Sequence, residues 1–301
     1  MTTTLHSIND GPVYTVSQLM ADPKQITQPI MKFVEEWDLA KFLLRDGGAN
    51  QGSVTFERDA APLTEDGLET LAEFEEVPTT RMVGGQVVTE LAETEGRALS
   101  ISDDMRDFNK VGQVKKGIEQ LKNAAVYNAA KKFRTLALAA DIPEIPASAA
   151  WGDSGSAVIH DVFSAVESIT GAEVPGHEDV EWDYEAEVMV APRSIQGAML
   201  QDEQVRSLYV GNIADQNPAY KGFQNFSFAG LRVVFPKFWF SDRILITKPG
   251  ALGFYSDARK LHMEGPIDLR PTRETRYQLL RSRALGLDQT QAGAWITGIK
   301  D

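Results

Sequence analysis

The chain has 301 residues, 43% of them hydrophobic, with 30 Lys and Arg against 43 Asp and Glu, for a formal charge of −13. This is the composition of a folded protein of one large domain or two ordinary ones, and its negative charge argues against a dedicated nucleic-acid binder, which needs clustered Lys and Arg. There is no cysteine, which excludes disulfides, zinc–thiolate sites, iron–sulfur clusters and every Cys nucleophile. The first residues, Met1 to Asp10, hold no basic stretch followed by an apolar run, so no signal peptide is expected. No run of about 18 apolar residues occurs, so no membrane-spanning helix is expected and the chain reads as soluble and cytoplasmic.

In chain order, residues 1–26 lack sustained periodicity and are broken by Gly11-Pro12 and Pro23, which suggests an extended arm. From Pro29, the residues Ile30, Phe33, Val34, Trp37, Ala40 and Leu44 recur at helical spacing, and Gly47-Gly48 ends the run. Ser53–Glu57 and Gln86–Leu91 alternate like strands. Between them lies a strongly acidic stretch, Glu69 to Glu76. Loops beyond about 12–15 residues are uncommon in compact domains, so a protruding hairpin arm fits better than a core element. Such an arm exposes strand edges unless another chain covers it.

Ser100 to Asp103 has capping-box spacing, and Phe108, Val111, Val114, Ile118, Leu121, Ala125, Ala129, Phe133 and Leu136 form one apolar stripe. A helix through this stripe is expected to be about 45–55 Å long, although Gly112 and Gly117 weaken its start. A linker, Pro143 to Ala150, precedes a second helix read from Val158, Val162, Ala165, Val166 and Ile169, stopped by Gly171. Asp183–Val190 reads as a strand and Ser194–Leu208 as a helix. Leu231–Phe235, Arg243–Thr247, Arg276–Leu287 and Ala294–Ile299 read as strands. The fold class is therefore α+β.

Charge is unevenly placed. Residues 51–100 hold 11 acids and 3 bases, residues 151–200 hold 10 acids and 1 base, and residues 231–301 hold 12 bases and 7 acids. Acidic blocks and a basic end suggest complementary surfaces that meet within a molecule or between copies, or else independent solvated faces.

Catalytic readings are weak. Gly152-Asp-Ser-Gly-Ser156 resembles the nucleophile segment of chymotrypsin-like proteases, but the only upstream histidine is His6. A turn capping the following helix explains Ser154 better, and His160 lies inside that helix. Four histidines, His6, His160, His177 and His262, make a multi-His metal site unlikely to assemble, and Gly176–Glu181 has neither His-Glu-x-x-His nor EF-hand spacing. Glu178, Asp179 and Glu181 are at most a weak cation site and read better as a solvated loop. The aromatics Phe223, Phe226, Phe228, Phe235, Phe238, Trp239 and Phe240 read as core and interface packing. No catalytic, cofactor or metal site is expected.

The order of these pieces resembles the major capsid proteins of tailed bacteriophages, with the HK97-like fold, and most of all those of phages infecting actinobacteria. The resemblance covers nearly the whole chain. It rests on Val77-Pro78 closing the acidic loop, Ser102–Asn109 opening the long helix, Lys248–Asp257, Arg281–Leu287 and Ala294–Gly298. The resemblance implies an N-terminal arm at 1–46 and an extended β-hairpin loop at 47–97. It implies a peripheral domain with spine helix at 98–150 and 261–301, and an inserted axial domain at 151–260. It also implies a non-enzymatic protein that assembles with itself, as hexamers and pentamers, into an icosahedral shell in the bacterial host cytoplasm. That shell would enclose DNA without sequence-specific binding or a membrane. Partners implied are a scaffolding protein, a portal and a decoration protein.

The candidate inter-subunit residues are the acids Glu57, Asp59, Glu73, Glu75 and Glu76 and, on the neighbour, Arg270, Arg273, Arg276, Arg281 and Arg283. Some members of the family weld subunits through a loop lysine. Here Lys41 is followed by no lysine until Lys110, so a non-crosslinked shell is expected. Other members begin with a helical scaffolding segment; only an arm precedes the loop here, so a separate scaffolding protein is expected. The rivals are an encapsulin-type compartment, a serine hydrolase using Ser154 and a monomeric ligand-binding protein.

Overall fold

The computed structural model describes residues 15–64, 68–80, 84–153, 155–202, 205 and 227–300. Helices α1 (Val16–Ala21), α2 (Lys24–Glu36) and α3 (Leu39–Leu43) are followed by β1 (Arg45–Asp46), β2 (Ser53–Arg58), β3 (Gln86–Leu91) and β4 (Glu93–Ser102). Then come α4 (Asp103–Asp107), α5 (Val111–Ala139), β5 (Glu144–Pro146), α6 (Val158–Thr170), β6 (Glu173–Val174), β7 (His177–Glu181), β8 (Val188–Val190) and α7 (Gln196–Gln201). The last are β9 (Ser227–Phe228), β10 (Leu231–Val234), β11 (Arg243–Thr247), β12 (Phe254–Leu269), β13 (Glu274–Gly286) and β14 (Gly293–Thr297).

The chain divides into two compact units. One comprises the chain up to Trp37, Thr94–Val126 and Arg259–Ser282; the other comprises Asp38–Glu93, Tyr127–Ala258 and Arg283 onward. Helix α5 and strands β12 and β13 contribute residues to both.

In the first unit, Thr15 caps α1 in a capping box with Gln18. Val16, Leu19, Ile26, Ile30 and Val34 line one face of α1 and α2, and are buried with Leu99 and Ile101 of β4, Val114 and Leu121 of α5, and Tyr277 and Leu279 of β13. The extended arm expected over residues 1–26 is thus corrected over its described part, since α1 and the start of α2 are helical. The burial that stabilises these short helices comes from strands and helices distant in sequence. Pro29 lies within α2, where its missing N–H removes one bond of the helix.

The long helix also starts later than its stripe suggests. Ser102 caps only the single turn of α4, its Oγ accepting from the Met105 amide at 3.2 Å. Asn109 then turns left-handed at φ 48°, and its side chain accepts from the Val16 amide at 2.9 Å. Phe108 is left exposed. Helix α5 has 29 residues, about 43 Å at 1.5 Å per residue.

The second unit is built on a six-stranded sheet ordered β5-β14-β11-β8-β10-β9. Strand β11 runs antiparallel to β14 and β8, whereas β8–β10 and β14–β5 are parallel pairs. Alternate residues enter two different cores. Ile244 and Ile246 of β11, Ala294 and Ile296 of β14 and Met189 of β8 pack with Val158, Val162, Ala165 and Ile169 of α6. Leu245, Trp295, Val188 and Val190 pack with Phe133 and Ala137 of α5 and Leu39 and Leu43 of α3. Burial on both faces explains why β11 and β14 read as continuous apolar runs. Buried Asp161 of α6 accepts from Trp151 Nε1 at 2.9 Å and from the Ser148 amide at 3.0 Å, fastening residues 148–151 to the helix.

Other readings are shortened or absent. The strand expected over 183–190 forms only at Val188–Val190, and the helix expected over 194–208 is seen as α7, with 206–208 outside the described residues. Strands β4 and β12 were not legible at all.

Phe133 is fully buried and stacks 6.3 Å from Trp239. Phe133→Ala is expected to destabilise the second unit by about 3–5 kcal/mol, measured by denaturant unfolding.

Candidate assembly surfaces

Strands β2 and β3 form an antiparallel ladder from Ser53–Leu91 to Arg58–Gln86. Phe56 anchors it, meeting Phe254 edge-on at 5.1 Å. Both rings lie over Gly286, where a Cβ would come within 2.6 Å of Phe254 and 2.9 Å of Phe56. Only glycine fits there. The ladder ends as Asp59 adopts a left-handed φ of 48°. Across from it Gly85 approaches so closely that a Cβ would lie 2.1 Å from the Arg58 carbonyl oxygen.

The chain between Ala60 and Gly84 forms no helix or strand among its described residues. Leu68 (106%), Phe74 (98%) and Val77 (69%) are open to solvent, interspersed with exposed Glu69, Glu73, Glu75 and Glu76. Isolated exposed apolar side chains are ordinary. Several within one exposed stretch make it a candidate interaction surface.

The ten residues singled out from charge fall into different settings. Glu57 is exposed on β2, where its carboxylate accepts from the Gly85 amide at 3.4 Å. Asp59 is half-buried and accepts from the amide and hydroxyl of Thr290 at 2.8 and 3.0 Å. Glu73, Glu75 and Glu76 stay in solvent, and Glu75 accepts from the Ala72 amide. Arg281 is buried and donates through Nε to Glu95 at 2.8 Å. Arg276 pairs with Glu274; this bond first, then one from Ser100, holds the Glu274 carboxyl below the usual range. Arg273 is exposed, 3.8 Å from Asp103 and Asp104. Arg270 is exposed, with no acidic partner among the described residues.

Arg283 is the most enclosed cation of the second unit. Its guanidinium donates to both Asp257 oxygens at 2.6 and 3.0 Å and to Asp38 at 2.6 Å, and it lies 4.6 Å from the Tyr255 ring centroid. Arg283 and Asp38 side chains are 9% and 4% exposed. Burial works against the charge, but the bonds and field of Asp257 and Asp38 outweigh it and raise the Arg283 pKa above its ordinary value. The partners Asp38, Asp257 and Glu95 were missed from sequence. The available signal was Arg281, placed two residues after Leu279 on the inward face of an alternating strand, where a cation needs a buried carboxylate.

Other candidate chemistry does not assemble. Ser154 and His6 lie outside the described residues, and His160 is exposed on α6. Among the described residues no group of three His, Cys, Asp or Glu is placed to hold a metal, and no helix is long and apolar enough to cross a membrane. Phe223 and Phe226 lie outside the described residues. Trp239 and Phe240 pack on Trp295 at 6.0 and 5.7 Å. Phe238 stays exposed beside Tyr127 at 5.4 Å, with its carbonyl bonded by Arg134 at 2.9 Å.

Solved structures share this arrangement. Those similar to this chain include the virus-like particle from Pyrococcus furiosus (TM-score 0.57, 11% identity, 91% of this chain and 98% of that one). Others are the capsid of Myoviridae phage XM1 (0.54, 12%, 86% and 90%) and a chain of Mycobacterium phage Che8 (0.54, 12%, 100% and 97%). Identities this low show a shared fold, the HK97-like one. No curated protein matches this chain. The family model for phage capsid protein matches residues 87–277, well over half of the chain, and the chain belongs to that family. It is a bacteriophage major capsid protein, a structural component of the virion shell.

Removing one partner of a buried ion pair leaves the other uncompensated. Asp38→Ala is therefore expected to cost about 3–5 kcal/mol in denaturant unfolding.

Proposed function

We propose that this protein forms hexamers and pentamers that close into a non-crosslinked icosahedral shell around DNA, assembled in the bacterial host cytoplasm. The observation that carries the reading is the Ala60–Gly84 stretch, which leaves Leu68, Phe74 and Val77 in water and acquires a purpose only when another copy covers it. In this reading residues 1–46 are the N-terminal arm and 47–97 the extended loop. Residues 98–150 with 261–301 form the peripheral domain, and 151–260 the axial domain. A scaffolding protein, a portal and a decoration protein are the partners. The shell makes no sequence-specific contact with its DNA.

The acidic loop of one copy lies on a basic surface of the next. Arg281, Arg283 and Arg276 are engaged by carboxylates of their own chain, so Arg270 and the weakly paired Arg273 are the cations best placed to receive it. The absence of lysine between Lys41 and Lys110 leaves the loop no amine for an isopeptide bond.

Expressed protein, fractionated by sedimentation and imaged by electron microscopy, is expected to give closed shells, rings or sheets. Monomers that persist when the scaffolding protein is supplied would sink the reading. Particles containing enzyme cargo in place of DNA would favour the encapsulin-type alternative. On a denaturing gel the particles should dissociate to single chains; a covalent ladder would refute the absence of crosslinks.

Reversing charge at Glu73→Lys, Glu75→Lys and Glu76→Lys together is expected to abolish or severely impair shell formation without lowering the melting temperature. Normal shells would reject the loop–arginine pairing.

A further inference from the structure

The Ala60–Gly84 stretch has two roots, and they are held differently. At the first, the Asp59 amide donates to the Asp288 carbonyl at 2.7 Å. The Asp59 carboxylate accepts from the Thr290 amide at 2.8 Å and the Thr290 hydroxyl at 3.0 Å. Arg58 Nε adds a bond to the Leu287 carbonyl at 3.3 Å.

The turn that receives these bonds is itself immobilised. Thr290 is buried, Arg45 pairs with the Asp288 carboxylate, and Tyr184 donates to Gln289 at 3.1 Å. Burial first, then the charges of Asp59 and Asp288, push the Tyr184 phenol up to about 12, so it keeps its proton as a donor at any physiological pH. At the second root, the Gly85 amide is bonded by Glu57 at 3.4 Å, a side chain of the hairpin itself, and the next residue, Gln86, pairs with Arg58 in the ladder.

We propose that Asp59 and Thr290 form a latch that sets the direction in which residues 60–84 leave the chain, making Thr290, 231 residues away in sequence, a positioning residue for assembly. The consequence for assembly rests on the loop meeting a second copy; the latch itself does not. A change of direction at the root is magnified along the chain that leaves it: for a rotation of ~10°, a point ~20 Å out moves ~3.5 Å, the length of a side-chain contact. The left-handed backbone of Asp59 at φ 48° is the bend that aims the loop, a conformation that Asp tolerates better than most residues.

The chain has no cysteine, so two introduced ones carry the only spin labels. Full-length protein bearing Leu63→Cys, four residues past Asp59 and exposed, and His160→Cys on α6 should give a single narrow distance distribution. Thr290→Val, which keeps the volume and the amide but loses the hydroxyl, is expected to broaden it; Asp59→Ala should broaden it further, and Thr290→Ser should restore it. Thr290→Val should unfold cooperatively at a melting temperature a few degrees below that of Thr290→Ser, about what one lost hydrogen bond costs, so its distances are read on a folded protein. In the unlabelled proteins, Thr290→Val should widen the spread of particle diameters while Thr290→Ser keeps the parental size.

Unchanged distances in folded Asp59→Ala, or Thr290→Ser behaving like Thr290→Val, would overturn the latch. Broadened distances with parental particle sizes would overturn its role in positioning. If the parent protein forms no shells, the assembly reading fails while the distances still decide the latch.

Discussion

The six-stranded sheet is buried on both faces, and the stability of the second unit depends on that constraint. A strand with one wet face contributes only alternate side chains to a core. Here β11 and β14 contribute every one of six positions in two consecutive runs, Ile244, Ile246, Ala294 and Ile296 to the α6 side and Leu245 and Trp295 to the α5 side. At about 1.5–3 kcal/mol for each fully buried large apolar side chain, so dense a core frees the chain to leave the Ala60–Gly84 stretch outside it. The hairpin that carries the stretch is held outside these cores, by Phe56 against Phe254 over Gly286 and by the bonds of Arg58 and Asp59 to residues 287–290.

The basic end of the chain performs two tasks that its net charge does not separate. Arg281 and Arg283 neutralise Glu95 and the Asp38–Asp257 pair inside their respective units. A buried cation of this kind is no gain over a well-packed apolar residue, but Arg283 on β13 joins the Asp38 cap of α3 to Asp257 near the start of β12. Arg270 and Arg273, four and one residues before β13 begins, face water instead. Charge counted along a sequence measures the sum of these tasks, not the surface that remains.

How much was legible follows from where the determining contacts lie. Helix α6 could be read because its apolar spacing and the Gly171 stop are local, and the paired alternation of β2 and β3 survives in a ladder with the expected register of faces. The Asn109 break in the long helix could not be read, because the residue that uses it, Val16, donates its amide N–H to the Asn109 side chain across 93 positions. Strand β12 carries charges and the Gly265-Pro266 pair within its span, and it is a strand because β13 lies beside it. The acids of the loop were visible, but the fate of Asp59 was not: its partner Thr290 is neutral, and no charge pattern points to it. The arginine partners lie 186, 245 and 26 positions away, distances over which composition is silent.

The loop's composition also constrains the kind of contact that can satisfy it. Its apolar residues would favour self-association, yet Glu69, Glu73, Glu75 and Glu76 stand among them, and two such loops brought together would repel. If the loop is covered by another copy, as proposed, it meets a different patch of that copy. A self-complementary contact stops at a two-fold dimer, whereas a contact between two different patches propagates and closes into rings when the rotation between copies allows it. In the proposed reading the acids therefore act as a rule of pairing as well as an attraction to the neighbour's arginines: they disfavour the loop–loop dimer and leave the repeating contact of a shell as the arrangement in which Leu68, Phe74 and Val77 leave water.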